Sequence, residues 1–193
     1  MPGKANHHAP QPEIVLDFLK KTLPFNQLPP ATLHHLTKHC LVDFYPKGTL
    51  VFQQGGTEVS HLFLIQKGGV KTYLKDDEGN VTLRDFRGEG EYFGALALIR
   101  DTSANLNVET VEDTFCFLFD KEAFLNLVKT EPRVAQFFLR QMSEKLVRTA
   151  YTEYRSKMET LQATRQQEAL LSTVAGSIGR ALERITAPLG FDY

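Results

Sequence analysis

The spacing of apolar residues changes twice along the chain. Over residues 12–23, PEIVLDFLKKTL, Ile14, Val15, Phe18 and Leu19 recur at helical intervals. A second helix is predicted over 30–40, PATLHHLTKHC, with Pro30 in its first turn and Leu33, Leu36 and Cys40 as its apolar face. From about 41 to 119 the pattern becomes short β-rich runs broken by glycine: LVDFY, GTLVFQQGG, HLFLIQKGGVKTYL, VTLRDFRGEGEYFG, NLNVETV and TFCFLF. The segment DDEGN at 76–80 reads as a hairpin turn, and closely spaced short strands of this kind argue for a sandwich or barrel. One helical turn, GALALI at 94–99, interrupts them.

Helical spacing then returns. DKEAFLNLVK at 120–129 opens on Asp120, a candidate N-cap. The stretch 130–162 reads as one long helix, with Thr130 as a possible cap. Along it Val147, Tyr151, Tyr154, Met158 and Leu161 step by four, three, four and three, a heptad stripe that fits packing on the β-unit or, the favoured reading, pairing with the same helix of a second chain. Tyr151 and Tyr154 fit a partly wet interface. A last helical segment is expected over 170–185, with Leu171, Val174, Ile178, Leu182 and Ile185 on one face, while Gly176 and Gly179 count against it. The domain reading is therefore a disordered tail over 1–12, a helix-flanked β-unit over 13–130, a dimerisation helix over 131–162 and a C-terminal helical segment over 163–193.

Composition narrows the function classes. The 193 residues carry 22 basic and 23 acidic side chains, so no basic excess points to nucleic acid. The opening MPGKANHHAPQP is polar and lacks the apolar stretch of a signal peptide, and no run approaches a membrane span. The expectation is a cytoplasmic protein without membrane association. Cys40 and Cys116 are too far apart in sequence to suggest a zinc motif. Cys116 alternates with Phe115 and Phe117 and reads as a buried structural thiol. His35 and His39 stand four apart on one helix, as metal ligands can. However, His34, His35 and His39 fall beside or opposite the apolar face, so a solvated face is the expected reading and no metal is assigned. No nucleophile, base or paired-carboxylate arrangement emerges from the spacing, so no catalytic residue is assigned.

The order of these segments resembles the cyclic nucleotide-binding domain of the Crp/Fnr type, an α+β fold built on a β-roll. The resemblance rests on Gly48 and Gly55 in PKGTLVFQQGG, on Ile65, Gly68 and Val70 in LFLIQKGGVKTYL, and on Gly88, Gly90, Phe93, Gly94, Leu96 and Leu98 in RGEGEYFGALALI. It extends over VETVEDTFCFLFDKEAF and covers about 25–160. It implies a phosphate-binding cassette at 91–113, where a helix start offers backbone N–H groups and Gly94 allows close approach.

Members of that family place a Glu directly after the Phe-Gly pair, for the ribose hydroxyl, and an Arg in the turn before the next strand, for the cyclic phosphate. Here those positions hold Ala95 and, taking Val108 as the strand valine, Ala104, with Ser103 and Asn105 beside it. Arg100 is the nearest base. The candidate ligand site is therefore Phe93, Gly94, Ala95, Leu96, Ser103, Ala104, Asn105 and Leu106.

The resemblance implies a sensor module that dimerises through its long helix and binds cyclic AMP and cyclic GMP below normal affinity. Any ligand would be a weakly held nucleotide or another small anion. Two alternatives accompany it. One is a structural dimerisation module whose pocket is filled by Ala95, Leu96, Ala104 and Leu106; the other is a true cyclic nucleotide-binding signalling protein. No helix–turn–helix pair is visible in 163–193, which argues against nucleic acid. The roll also resembles the N-terminal module of predicted signalling nucleotidyltransferases, where it precedes paired CBS domains. That likeness implies that LLSTVAGSIGRAL at 170–182 opens such a region and that a C-terminal effector domain is the partner.

Overall fold

The computed structural model describes residues 8–186, with side chains as far as Arg180. Two units are distinguished: residues up to Phe138, and the chain from Leu139 onward. In the first unit α1 (Pro12–Leu19), a 3-10 turn (Phe25–Gln27) and α2 (Pro30–Lys38) precede eight strands: β1 (Cys40–Tyr45), β2 (Leu50–Phe52), β3 (His61–Lys67), β4 (Val70–Lys75), β5 (Val81–Arg87), β6 (Tyr92–Phe93), β7 (Asn107–Thr110) and β8 (Thr114–Asp120). A short helix α3 (Ala95–Arg100) lies between β6 and β7, and α4 (Lys121–Thr130) and α5 (Pro132–Thr186) follow.

The strands form two four-stranded antiparallel sheets, in the orders β1-β8-β3-β6 and β2-β7-β4-β5. The fold is the α+β roll that the family resemblance implied. Three aromatics bridge the sheets inside it: Phe52 lies edge-on to Phe63 and Phe93 at 5.1 and 5.2 Å, and Phe63 stacks on Phe93 at 4.8 Å. Such pairs contribute about 0.5–1.5 kcal/mol each beyond their area burial. The N-terminal helices cover the outer face of the first sheet, where Phe18 meets Phe117 and Phe25 meets Phe119.

Gly68 shows why the strands need glycine at one of their turns. Its φ is +93°, and a Cβ there would come within 2.8 Å of the Thr114 Cα. Only a residue without a side chain fits a left-handed backbone pressed against a neighbouring strand.

Several expectations are revised. Cys40 opens β1 instead of closing the second helix, which stops at Lys38. The backbone is already paired there, Cys40 standing opposite Phe119, and strand pairing outweighs helical spacing. Thr130 is the last residue of α4, its hydroxyl donating to Asn126 O, and so does not cap α5. Asp120 does cap α4, its Oδ1 accepting from Ala123 N at 2.8 Å. His8 exchanges two backbone hydrogen bonds with Val42, so the tail read over 1–12 is tied down from His8 onward. The part before His8 lies outside the described residues.

The break expected near 162 is absent, since α5 continues through Gly176 and Gly179 to Thr186. Two glycines cost about 1 kcal/mol each in a helix interior. That is too little to end a helix otherwise built from Ala, Leu, Gln, Glu and Arg. Leu182 and Ile185 lie within it, but their side chains fall outside the described ones, as do residues 187–193.

Candidate functional site: the segment between β6 and β7

Helix α3 begins at a glycine in the left-handed region. Gly94 has φ +93°, and a Cβ there would stand 3.0 Å from the His61 carbonyl oxygen and 3.2 Å from Val59 Cγ1. Leu98 N donates to Gly94 O at 3.0 Å, which starts the helix. The helix is six residues long and closes on Asp101, also left-handed at φ 53°, with Thr102 N bonded to Ala97 O. Asp101 pairs with Lys121 at the start of α4.

The loop after α3 is fastened to the turn after β2. Ala104 N donates to Thr57 O at 2.9 Å, and Gly55 N donates to Ala104 O at 2.7 Å. Asn107 extends the link, its Oδ1 accepting from Gln54 N and its Nδ2 donating to Gln54 Oε1. Both ends of the segment thus converge on residues 52–57, with Gly94 beside the Phe52 ring and Ala104 against Gly55 and Thr57.

Within this frame the candidate residues divide. Phe93, Ala95 and Ala104 are buried, the two alanines at 3% exposure each. Ser103 and Leu106 are half-buried, and Asn105 is exposed. Leu96 is 45% exposed, so it does not fill the roll as the collapsed-pocket alternative required. Leu98, two residues on, takes the buried face, because residues two apart on a helix do not share a side. Arg100 is also exposed.

Behind the segment, Tyr92 joins the roll to α5. Its ring lies 4.8 Å from Phe138 and 6.1 Å from Phe137, and Phe138 is edge-on to Phe124 of α4 at 5.2 Å. The Tyr92 carbonyl accepts from Arg87 Nη1. Burial pushes the Tyr92 phenol up to about 12, with Arg87 opposing.

Comparison with known proteins places this geometry. The family model described as the cyclic nucleotide-binding domain matches residues 42–131. Residues 42–131 are a cyclic nucleotide-binding domain. The chain is 29% identical over 119 residues to the cAMP-activated global transcriptional regulator CRP of Salmonella typhimurium, covering 60% of this chain and 55% of that protein. It is 32% identical over 116 residues to human cGMP-dependent protein kinase 2, covering 59% of this chain and 15% of the kinase. The chain therefore spans about half the length of the first of these relatives and a small part of the second.

Among solved structures, the catabolite activator protein of Thermus thermophilus aligns with TM-score 0.58 and 25% identity, covering 65% of this chain and 59% of that one. The sensor domain of the transcriptional regulator DNR from Pseudomonas aeruginosa aligns with TM-score 0.63 and 21% identity, covering 72% and 93%, a likeness of fold. The family match is narrower than the 25–160 resemblance read from the sequence.

Other candidate chemistry is bounded by the structure of this cyclic nucleotide-binding domain and its flanking helices. The His35 and His39 rings lie 4.8 Å apart, tilted to one another, on an exposed face, and no cluster of three His, Cys, Asp or Glu suited to a metal occurs among the described residues. Burial raises both thiols, Cys40 to about 12 and Cys116 further, so neither is a ready nucleophile. No helix among the described residues is long and apolar enough to cross a membrane.

On α5, Val147, Tyr151, Tyr154, Met158 and Leu161 are all exposed. Leu170, Leu171, Val174 and Ile178 are exposed too, but out of phase with them. The thirteen positions from Leu161 to Val174 turn a straight helix by about 220° at 3.6 residues per turn. The later apolar stripe is thus not a continuation of the first.

Proposed function

We propose that this chain is a regulatory module whose cyclic nucleotide-binding domain holds cyclic AMP and cyclic GMP weakly and passes ligand or dimer state to a partner domain. One observation carries this reading: the two positions that the family resemblance assigns to the ribose-binding Glu and the phosphate-binding Arg are the buried Ala95 and Ala104. A charge-assisted hydrogen bond contributes about 1.5–3 kcal/mol. Losing two weakens binding by roughly two to four decades, at 1.4 kcal/mol per decade. A micromolar site becomes millimolar or weaker.

The exposed stripe from Val147 to Leu161 supports pairing with α5 of a second copy, because five large apolar side chains in heptad spacing are otherwise left in water. The partner domain is proposed to lie beyond the roll, in the manner of the CBS-containing proteins it resembles. Relatives named for cyclic nucleotide responses support the regulatory class, and no catalytic role is proposed.

Calorimetric titration of the purified chain with cyclic AMP and cyclic GMP tests the ligand claim. Dissociation constants near or above about 1 mM are expected, and saturable micromolar binding of either nucleotide refutes it. Sedimentation equilibrium tests the pairing, a concentration-independent monomer being the refuting result.

A further inference from the structure

Helix α5 carries two blocks of exposed apolar side chains whose spacings do not agree. Val147, Tyr151, Tyr154, Met158 and Leu161 occupy d, a, d, a and d of one heptad register. Leu171, Val174 and Ile178 step by three and four, and occupy a, d and a of another. All eight side chains are exposed, from 38% at Met158 to 69% at Val147. Carried forward, the first register puts its later a positions at Arg165, Ser172 and Gly179, so the second block runs one residue ahead of it. At the 3.5 residues per turn of a coiled pair, one residue is about 103° round the helix.

Each register is apolar only over its own block. In the first, Leu171 and Ile178 fall at g and Val174 at c, while the seam receives Arg165, Glu168, Ser172, Ala175 and Gly179. In the second, Val147, Tyr154 and Leu161 fall at e and Tyr151 and Met158 at b, while the seam receives Glu153, Lys157, Thr160, Thr164 and Gln167. Charged, polar and small side chains make a poor seam, so neither register serves both blocks. The stretch between them, QATRQQEA at 162–169, holds no large apolar side chain to fasten one to the other.

The second block also looks covered. Residues 139–168 carry ten charged side chains, whereas Ala169 to Gly179 carry none and all of these except Gly176 are exposed. An uncharged, apolar-lined stretch on an otherwise charged helix marks a face that meets another surface.

Resting on the reading of α5 as a pairing helix, we propose that Leu171, Val174 and Ile178 form a second seam for the same face of α5 in a second copy, and that the two seams compete. A parallel pair closed on the first stripe holds both copies of the second block at one height, about 15 Å further along from Leu161. The apolar surface nearest to each copy of the block is then the other copy, at high effective concentration. Closing there as well requires the pair to turn through about 103° within the polar stretch. The pair therefore has two states, closed on Val147–Leu161 or closed on Leu171–Ile178, and whatever favours one seam loosens the other. The competing explanation is that local overwinding across 162–170 absorbs the offset and both seams close together.

One alanine inserted between Ala163 and Thr164 brings the second block into the first register; two alanines do not. In sedimentation equilibrium of the full chain, the single insertion should lower the dimer dissociation constant at least about tenfold, and the double insertion should leave it within about threefold of the wild type. A second readout is disulfide formation by Val174→Cys, at concentrations where the dimer is saturated. The native Cys40 and Cys116 are buried and do not compete. Met158→Ala weakens the first seam, and should speed Val174→Cys crosslinking if the seams compete.

Slower crosslinking in Met158→Ala shows that the seams close together and overturns the competition. A wild-type dimer in which Val174→Cys does not crosslink, or whose dissociation constant ignores the single insertion, removes the second seam and leaves the first. A wild-type chain that sediments as a monomer at every concentration removes the pairing reading itself, and both seams with it.

Discussion

The double substitution Ala95→Glu, Ala104→Arg asks whether these two alanines are what weakens the site. Both are 3% exposed, and Ala104 is fixed by hydrogen bonds from its N–H and to its carbonyl. The two new charges would thus sit on a backbone that does not move far. Each restored group should return about 1.5–3 kcal/mol to the bound state, together roughly 3–6 kcal/mol or two to four decades of affinity.

Without ligand the same charges are poorly solvated, and the free variant should melt below the wild type, because buried unpaired charges are costly. Ligand at a hundredfold over the dissociation constant adds about 2.7 kcal/mol of stability. In a protein of this size that raises the melting temperature by roughly 5–11 °C. Thermal melts with and without cyclic AMP or cyclic GMP, paired with calorimetry, read both effects. A variant that folds, shows native far-ultraviolet dichroism and binds both nucleotides as weakly as the wild type refutes the assignment of these positions.

Other outcomes depend on particular contacts. Gly94→Ala should lose about 2 kcal/mol or more in denaturant unfolding, because a left-handed φ of +93° is strained for alanine and the new Cβ would stand 3.0 Å from His61 O. Phe138→Ala should cost about 3–5 kcal/mol, since it empties the space between Phe124 and Tyr92; a loss under about 1 kcal/mol contradicts that packing. Tyr154→Glu, 64% exposed on α5, should leave the melting temperature of the roll within about 2 °C while shifting sedimentation toward monomer.

The buried thiols make stability fall in alkali. Below the ordinary thiol value of 9.0 Cys40 is neutral folded or unfolded. Above it only the unfolded thiol ionises until pH reaches about 12, so unfolding becomes progressively easier across that window. Cys40→Ser and Cys116→Ser together should flatten the decline, measured by urea midpoints between pH 8 and 11.

The roll was legible because glycines and turn residues punctuate alternating strands, and glycine at 68 and 94 is required by backbone that no other residue adopts cheaply. The alanines at 95 and 104 were legible only through resemblance, since an alanine carries no chemistry of its own. Three things were hidden. Leu96 reads as a filler of the pocket, yet Leu98 takes the buried face, and two positions on a helix differ by about 200°. Cys40 matched the helix spacing of Leu33 and Leu36, and only its pairing with Phe119 shows that it belongs to a strand. The inward turn of Asp85 and Arg87 depends on a bulge at Arg84, and a single extra residue reverses the alternation that a strand reading relies on.

Phe138 is the last buried residue among those whose side chains are described; from Leu139 to Arg180 every one is at least partly exposed. The sequence before it answers to the demands of a packed interior, and the sequence after it to solubility and to whatever it meets. Phe138 is therefore a natural seam for grafting. Among the described side chains none beyond it is fully buried, so the packed interior of the roll is complete by Phe138.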